Sequence, residues 1–147
     1  MGRVAILVSR YHERVTAPLL QGALQCCREA GIAEDDIDVI HVAGAFELGV
    51  AAAAAAAHGQ YACLVALGAV VRGETPHFEF VAGETARILA DVAARELVPV
   101  GFGLLTTDTL EQALERAGGA AGNKGYEAAE AAILAADVLD RLGDRDA

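Results

Sequence analysis

Residues 61–97 read YACLVALGAVVRGETPHFEFVAGETARILADVAAREL, an apolar run that gives way to a polar loop and then to an amphipathic segment. The run at 61–67 has the length and composition of a buried strand, and residues 78–97 have the periodicity of a helix. A strand that is apolar on both faces and is followed by a helix is typical of a parallel sheet covered on both sides. This unit therefore predicts an α/β fold.

The same alternation of strand and helix continues in both directions from this unit. Three further apolar runs are predicted to be strands, at residues 4–8, 37–42 and 98–105. Four further segments are predicted to be helices. The first has Thr16 as N-cap, Pro18 in its first turn and Gly31 as terminator, and the second is an alanine-rich helix at 50–59. The third is opened by Thr107 or Asp108, and the final helix ends near Leu142. A glycine-rich link at 119–125 precedes the final helix, and residues 143–147 are predicted to fray.

We therefore predict one domain over residues 1–147, a three-layer α/β/α sandwich with a four-stranded parallel, flavodoxin-like sheet. Right-handed crossovers leave few other topologies for four parallel strands. The final helix has a broad apolar stripe, and a chain of 147 residues can hardly cover this stripe, the alanine helix and the sheet together. We expect self-association.

Composition excludes several classes of partner. The formal net charge is −10 at pH 7, which argues against nucleic acid or an anionic membrane as partner, because both are negatively charged and bind basic protein surfaces. No apolar run approaches the roughly 20 residues that span a bilayer, and the first apolar run is too short for a signal peptide. The chain is therefore expected in the cytoplasm.

No metal site is expected from the cysteines and histidines. Neither residue type shows the spacing of metal ligands along the chain. The residues concerned are Cys26, Cys27, Cys63, His12, His41, His58 and His77. The cysteines are predicted to be small buried side chains.

Polar and aromatic residues follow every predicted strand. They are Ser9 to Glu13, Gly44 to Glu47, Arg72 to His77 and Thr106 to Asp108, with Phe102 inside the fourth strand. In open parallel sheets, ligands bind beyond the carboxyl ends of the strands. Imidazoles exchange protons near neutral pH, so His77 is a candidate for acid–base catalysis. We therefore predict a ligand site at this edge.

Each of these residues also has a purely structural interpretation. Phe46 and Phe102 could be core residues, and Glu47 could cap the alanine helix. His77 could be an exposed loop residue. Arg116 and Lys124, which flank a glycine-rich turn, could bind a phosphate or simply solvate a helix end. The phosphate-loop pattern G-x-x-x-x-G-K-[ST] is absent.

Four segments together resemble the lumazine synthase family: AGAFELG (43–49), LGAVVRGETPHFEF (67–80), FGLLTTDTLEQALERAG (102–118) and GNKGYEAA (122–129). The resemblance implies condensation of 5-amino-6-(D-ribitylamino)uracil with 3,4-dihydroxy-2-butanone 4-phosphate to give 6,7-dimethyl-8-ribityllumazine, the penultimate step of riboflavin biosynthesis. It implies neither a metal nor an organic cofactor.

The resemblance also implies a role for individual residues. Tyr11 would stack on the pyrimidinedione, and Glu47 would accept hydrogen bonds from the ribityl chain beside Ala45 and Phe46. The backbone of Ala69, Val70 and Val71 would read the uracil edge. Glu74 and Thr75 would hold the phosphorylated ketone, and His77 would transfer protons. Phe102, Arg116 and Lys124 would come from a neighbouring subunit, with Arg116 on the phosphate.

The sequence departs from the family pattern at several positions. The family commonly has Phe or Trp at position 11 and Asn at position 12, where this chain has Tyr11 and His12, and prolines where it has Ala43 and Gly49. A leading segment that often adds a strand to a neighbour's sheet is missing, so a pentamer is expected, with a sixty-subunit shell as the alternative.

Two other functions compete with the enzyme. One is a catalytically weak relative that binds a flavin precursor or forms a shell, and the intact Glu47, His77, Arg116 and Lys124 argue against it. The other is a flavodoxin-like domain that binds a phosphorylated ligand. That domain would need a phosphate-cradling loop after the first strand, where this chain has SRYHERVT (9–16) instead.

Overall fold

A computed structural model describes residues 2–144 of the chain as a four-stranded parallel sheet between two layers of helices, which confirms the predicted fold class. The sheet strands are β1 (Arg3–Ser9), β2 (Ile37–Val42), β3 (Tyr61–Val71) and β4 (Val100–Thr107). The helices are α1 (Glu13–Glu29), α2 (Leu48–His58), α3 (His77–Glu96), α4 (Leu110–Glu115) and α5 (Lys124–Asp144). The strand order β2-β1-β3-β4 makes β2 and β4 the edge strands.

Alternation along β1 divides the core into two parts. Val4, Ile6 and Val8 face the side covered by α1 and α5, whereas Ala5 and Leu7 face the side covered by α2 and α3. All five side chains are buried, as expected of a central parallel strand. This arrangement leaves the carboxyl ends of the strands together at one open edge.

The first helix begins earlier than predicted. Thr16 is not its N-cap, because the helix already begins at Glu13, and Pro18 therefore lies beyond the first turn. The N-cap is His12, whose backbone is left-handed (φ 61°) and whose carbonyl accepts the N–H of Thr16 at 3.0 Å. The predicted terminator is confirmed, because Gly31 has a φ of +82° and its N–H donates to the carbonyl of Arg28.

The third and fourth strands are displaced from their predicted bounds. β3 continues past residue 67 to Val71, because its last residues pair with β4, with Val71 opposite Thr107. β4 begins at Val100 rather than residue 98 and ends at Thr107 rather than residue 105. Pairing between strands decided these ends, and the sequence pattern does not report it.

The α4 helix is capped by a residue other than the two predicted. Neither Thr107 nor Asp108 opens it, since Thr107 ends β4. Thr109 is the N-cap: its hydroxyl accepts the N–H of Gln112 at 3.1 Å, and the Gln112 side chain accepts the N–H of Thr109 at 3.3 Å. This reciprocal pair is a capping box.

The remaining helices differ from prediction mainly at their ends. α2 and α3 begin at Leu48 and His77, slightly ahead of the predicted starts. A small unpredicted hairpin of β5 (Ala117–Gly119) and β6 (Gly122–Asn123) overlaps the predicted link, and α5 begins inside that link, at Lys124. α5 extends to Asp144, so residues 143 and 144 are helical, and the predicted fraying of 145–147 lies outside the described residues.

Small residues let α5 approach the sheet closely. A Cβ built on Gly101 of β4 would lie 2.2 Å from the carbonyl oxygen of Ala128 in α5. Backbone is too rigid to yield to such a contact, so this position requires glycine. The close approach fixes β4 against α5, and with it the residues that both elements present at the open edge.

Candidate active site

A cleft of about 930 Å³ opens at the carboxyl edge of the sheet. It is built from the ends of β1 and β3, the turn before α2, the loop that follows β3 and the first turns of α3. The predicted site residues that line it are Tyr11, Ala45, Phe46, Glu47, Ala69, Val70, Val71, Thr75 and His77. Chain segments that lie far apart in sequence therefore meet at one edge, as the positions of the strand ends predicted.

The aromatic rings of the cleft are available to a ligand. Tyr11 is 67% exposed and Phe46 is 56% exposed, although both are large apolar side chains. Phe46 is therefore not a core residue. Exposed aromatic faces in a concave site suit a flat heterocycle, which can stack on them.

Glu47 holds the turn that leads into α2. Its Oε1 accepts the backbone N–H of Gly44 at 2.9 Å, and its side chain makes no capping bond to α2. Within the described residues no hydrogen bond engages the other carboxylate oxygen. The turn therefore fixes the side chain through one oxygen and leaves the second as an acceptor at the wall of the cleft.

His12 also lines the cleft, and its ring packs edge-on against Tyr11 with the ring centroids 4.5 Å apart. A left-handed backbone is uncommon outside glycine, although histidine adopts it more often than most residues. The kink at His12 turns the chain from β1 into α1 and places both rings at the cleft. His12 is thus a cleft residue that was predicted to lie at this edge but was assigned no role there.

Arg72 is a second such residue, and its side chain contacts three residues around the cleft, one after β4 and two in α3. Its Nε donates to Asp108 Oδ1 at 2.8 Å, a terminal guanidinium nitrogen donates to Glu79, and the guanidinium lies 4.4 Å from the centroid of the Phe78 ring. The sequence pointed to Arg72 only by its place in RGETPH (72–77). Its partners became apparent only in the fold.

Glu74 is a predicted site residue that does not line this cleft. It is exposed on the loop between β3 and α3, next to Thr75, which does line the large cleft. His77, the first residue of α3, is exposed at the mouth of the same cleft. The loop thus offers both a hydroxyl and an imidazole to a ligand there.

Phe102, Arg116 and Lys124 share a second cleft of about 280 Å³ along β4. No residue lines both clefts. Phe102 is 51% exposed on the edge strand and so is not a core residue. Arg116 donates to the carbonyl of Gln112 at 2.9 Å, and Lys124 pairs with Glu127 at 3.3 Å. Within one chain these cations are therefore separate from His77 and Glu47.

The cysteines belong to the core and not to either cleft. Cys26, Cys27 and Cys63 are free and buried, as predicted. Burial raises the pKa of Cys26 to about 11 and that of Cys63 to about 12, so both are thiols rather than thiolates near neutral pH. They are unsuited to nucleophilic chemistry.

Two other kinds of feature are absent from residues 2–144. No group of three or more His, Cys, Asp or Glu side chains there is arranged to hold a metal ion. No helix in that range has the length and hydropathy needed to cross a bilayer.

Comparison with known proteins gives a consistent result. Residues 2–140 match the family model described as 6,7-dimethyl-8-ribityllumazine synthase. A protein of Gemmatimonas aurantiaca with that same name is 52% identical over 139 residues, which cover 95% of this chain and 85% of the relative. Both matches extend through the segments that line the two clefts.

Proposed function

Because this chain belongs to the 6,7-dimethyl-8-ribityllumazine synthase family, we propose that its large cleft is one half of an active site, completed by the small cleft of a neighbouring protomer. The chain is a transferase of riboflavin biosynthesis. It condenses 5-amino-6-(D-ribitylamino)uracil with 3,4-dihydroxy-2-butanone 4-phosphate and releases the lumazine, phosphate and water. What is proposed is where the reaction takes place and which residues serve it.

The large cleft binds the aminouracil. Tyr11 stacks on the pyrimidinedione, and the end of β3, at 69–71, offers backbone groups to its polar edge. The ribityl chain lies along the turn at 45–47, where the second oxygen of Glu47 accepts from its hydroxyls. The exposed rings and the half-engaged carboxylate described above support this placement.

His77 transfers protons during the reaction. The aminouracil amine attacks the ketone and water leaves to form an imine; phosphate then leaves, the enol tautomerises, and ring closure expels a second water. Several of these steps move a proton, and an imidazole exchanges protons near neutral pH. Much of the acceleration comes from holding two substrates together, so the histidine contributes a moderate factor.

The phosphorylated ketone bridges the two protomers. Glu74 and Thr75 hold it from the loop after β3, and a neighbour's Arg116 and Lys124 bind its phosphate. A guanidinium suits bidentate contact with phosphate, and an ammonium adds a point charge. The observation that carries this proposal is the division of the site residues between two clefts that share no residue.

The assembly is a homo-oligomer, and we propose a pentamer, with a sixty-subunit shell built from pentamers as the alternative. Apolar side chains remain exposed along α5 at Leu134, Val138 and Leu142, with a spacing that puts them on one face of the helix. A neighbour packed on this face would remove apolar area from water.

Residues 1–147 act as one catalytic domain in the cytoplasm, without metal, organic cofactor, nucleic acid or membrane.

Two measurements on purified protein test the proposal. Mixed with both substrates, the protein should produce the lumazine chromophore faster than the spontaneous reaction, and its native mass should be five times the chain mass or a multiple of that. Substrate binding without turnover would favour the catalytically weak alternative. A fully active monomer would contradict the shared site.

Substitution of His77 tests the role of its imidazole. His77→Ala should lower kcat by about 10-fold to 100-fold, at or below the lower end of the roughly 10²-fold to 10⁴-fold range of general acid–base catalysis, because proximity supplies much of the acceleration, and it should leave the oligomer intact. A variant with the kcat of the parent would remove His77 from the mechanism.

A further inference from the structure

We infer that Arg72 is a positioning residue for this reaction: it holds the loop 72–77, and with it Thr75 and His77, against the carboxyl end of β4. This inference rests on the function proposed above. Arg72 itself lines the large cleft, but its guanidinium is directed to other protein groups rather than left open to a ligand.

The contacts of Arg72 tie three elements together. Its backbone N–H donates to the carbonyl of Thr107 at 2.9 Å, and its Nε donates to Asp108 at 2.8 Å, which fixes the loop to the end of β4. A terminal nitrogen of the same guanidinium donates to Glu79, and its plane lies over Phe78, both in the first turn of α3. The side chain therefore spans the loop from its first residue to the helix that His77 begins.

The rest of the loop has little else to hold it. Residues 72–77 are all exposed. Among the described residues, the side chains of Glu74, Thr75 and His77 form no hydrogen bonds, and a Cβ built on Gly73 would meet nothing within 4 Å. A loop with few packed contacts is locally mobile unless a specific contact fixes it. Arg72 supplies that contact.

Two carboxylates flank the guanidinium, which makes it a poor phosphate ligand. The hydrogen bonds that Arg72 donates to Glu79 and Asp108 raise the pKa of Arg72, and the bond to Glu79 lowers the pKa of that carboxyl. The group of three carries a net negative charge, which disfavours an anion. Arg116, by contrast, has no carboxylate within ion-pair distance among residues 2–144. Positioning and phosphate binding are thus divided between two arginines.

The experiment compares Arg72→Met with Arg72→Lys and with the control Arg87→Ala. Arg87 lies within α3, where it pairs with Glu84 on the exposed face of that helix. Arg72→Met should lower kcat by about 10-fold to 100-fold, since a small misplacement of a catalytic group has effects of that order. The KM for the aminouracil should change by less than about 3-fold, because no contact to it is removed, whereas the KM for the phosphorylated ketone should rise moderately, because Glu74 and Thr75 lie on the released loop. Arg87→Ala should leave kcat and KM unchanged.

The lysine variant and the melting temperature separate positioning from general stability. Arg72→Lys keeps the charge but cannot bond two carboxylates in a fork, so it should recover only part of kcat. Exposed ion pairs contribute little to stability, so the melting temperature should stay within a few degrees of the parent's in all three variants. A large rise in the KM for the phosphorylated ketone with an unchanged kcat would overturn the inference and make Arg72 a phosphate ligand. An unchanged kcat in Arg72→Met would also overturn it.

A double variant asks whether Arg72 acts through His77. If it does, Arg72→Met combined with His77→Ala should lose little more kcat than His77→Ala alone, because the interaction is removed only once. Additive losses would place the effect of Arg72 elsewhere and overturn the inference. A fully active His77→Ala would instead contradict the proton-transfer role proposed above, and the kcat of Arg72→Met alone would still decide whether the loop needs its arginine.

Discussion

Substitution of Glu47 tests the ribityl site most sharply. One of its carboxylate oxygens accepts the N–H of Gly44, and the other is proposed to accept from the ribityl hydroxyls. A hydrogen bond to a charged group contributes about 1.5–3 kcal/mol, and about 1.4 kcal/mol corresponds to a factor of ten in binding. Glu47→Ala should therefore raise the KM for the aminouracil by about 10-fold to 100-fold.

The glutamine variant separates charge from shape. Glu47→Gln keeps an oxygen for the Gly44 N–H but has no charge, and neutral hydrogen bonds are about half as strong as charge-assisted ones. Its KM for the aminouracil should rise by only about 3-fold to 10-fold. In both variants the KM for the phosphorylated ketone should stay close to that of the parent.

Steady-state rates provide the assay: the lumazine chromophore is followed while each substrate is varied at a saturating concentration of the other. Glu84→Gln is the matched control, because Glu84 is an exposed glutamate of α3 that pairs with Arg87. An unchanged aminouracil KM in Glu47→Ala would refute the ribityl assignment. An increase confined to the KM for the ketone would also refute the ribityl assignment.

Three further outcomes are expected. Arg116→Ala should raise the KM for the phosphorylated ketone by about 10-fold to 100-fold in steady-state assays, and an unchanged KM would exclude Arg116 from the phosphate site. Gly101→Ala should lower the urea midpoint by the equivalent of about 1–3 kcal/mol, because its Cβ would overlap the carbonyl of Ala128; equal midpoints would contradict the close approach. Tyr61→Phe removes a 2.7 Å hydrogen bond that helps keep the pKa of Asp38 low. That stabilisation is present above the unfolded pKa of about 3.9 and is lost as pH falls through the lower folded value, so the difference in urea midpoint should shrink below about pH 4. A difference that grew in acid would contradict this.

Local pattern was sufficient to predict the fold class. Apolar runs gave the approximate place of all four sheet strands, and the bounds of β2 agreed with the prediction, at Ile37–Val42. The errors arose where contacts or backbone conformations that the local pattern does not predict determine the end of a strand or helix. β3 extends to Val71 because β4 pairs with it, and α1 begins at Glu13 because His12 takes a left-handed backbone that propensity does not anticipate.

The two clefts were predictable to different degrees. The large cleft followed from the rule that parallel strands present their carboxyl ends at one edge. The role proposed for Phe102, Arg116 and Lys124 came only from family resemblance, because nothing in the sequence pattern of one chain predicts that they lie beside His77. Arg72 was left without a role because its partner Asp108 is 36 positions away in sequence.

Co-assembly of two impaired variants addresses the shared site directly. Glu47→Ala damages the large cleft and Arg116→Ala damages the small one, so each homo-oligomer should have a low kcat/KM. In an equimolar mixed oligomer, an interface is intact only when the Arg116→Ala chain supplies its large cleft and the Glu47→Ala chain supplies its small cleft. Random head-to-tail assembly makes about a quarter of the interfaces intact.

Activity of the co-expressed mixture relative to the two separate variants is therefore the decisive measurement. We expect its kcat/KM to rise to about a quarter of the unsubstituted enzyme's value, well above either variant alone. A mixture whose activity is only the average of the two variants would mean that each chain carries a complete site, and the division of the active site between protomers would be wrong.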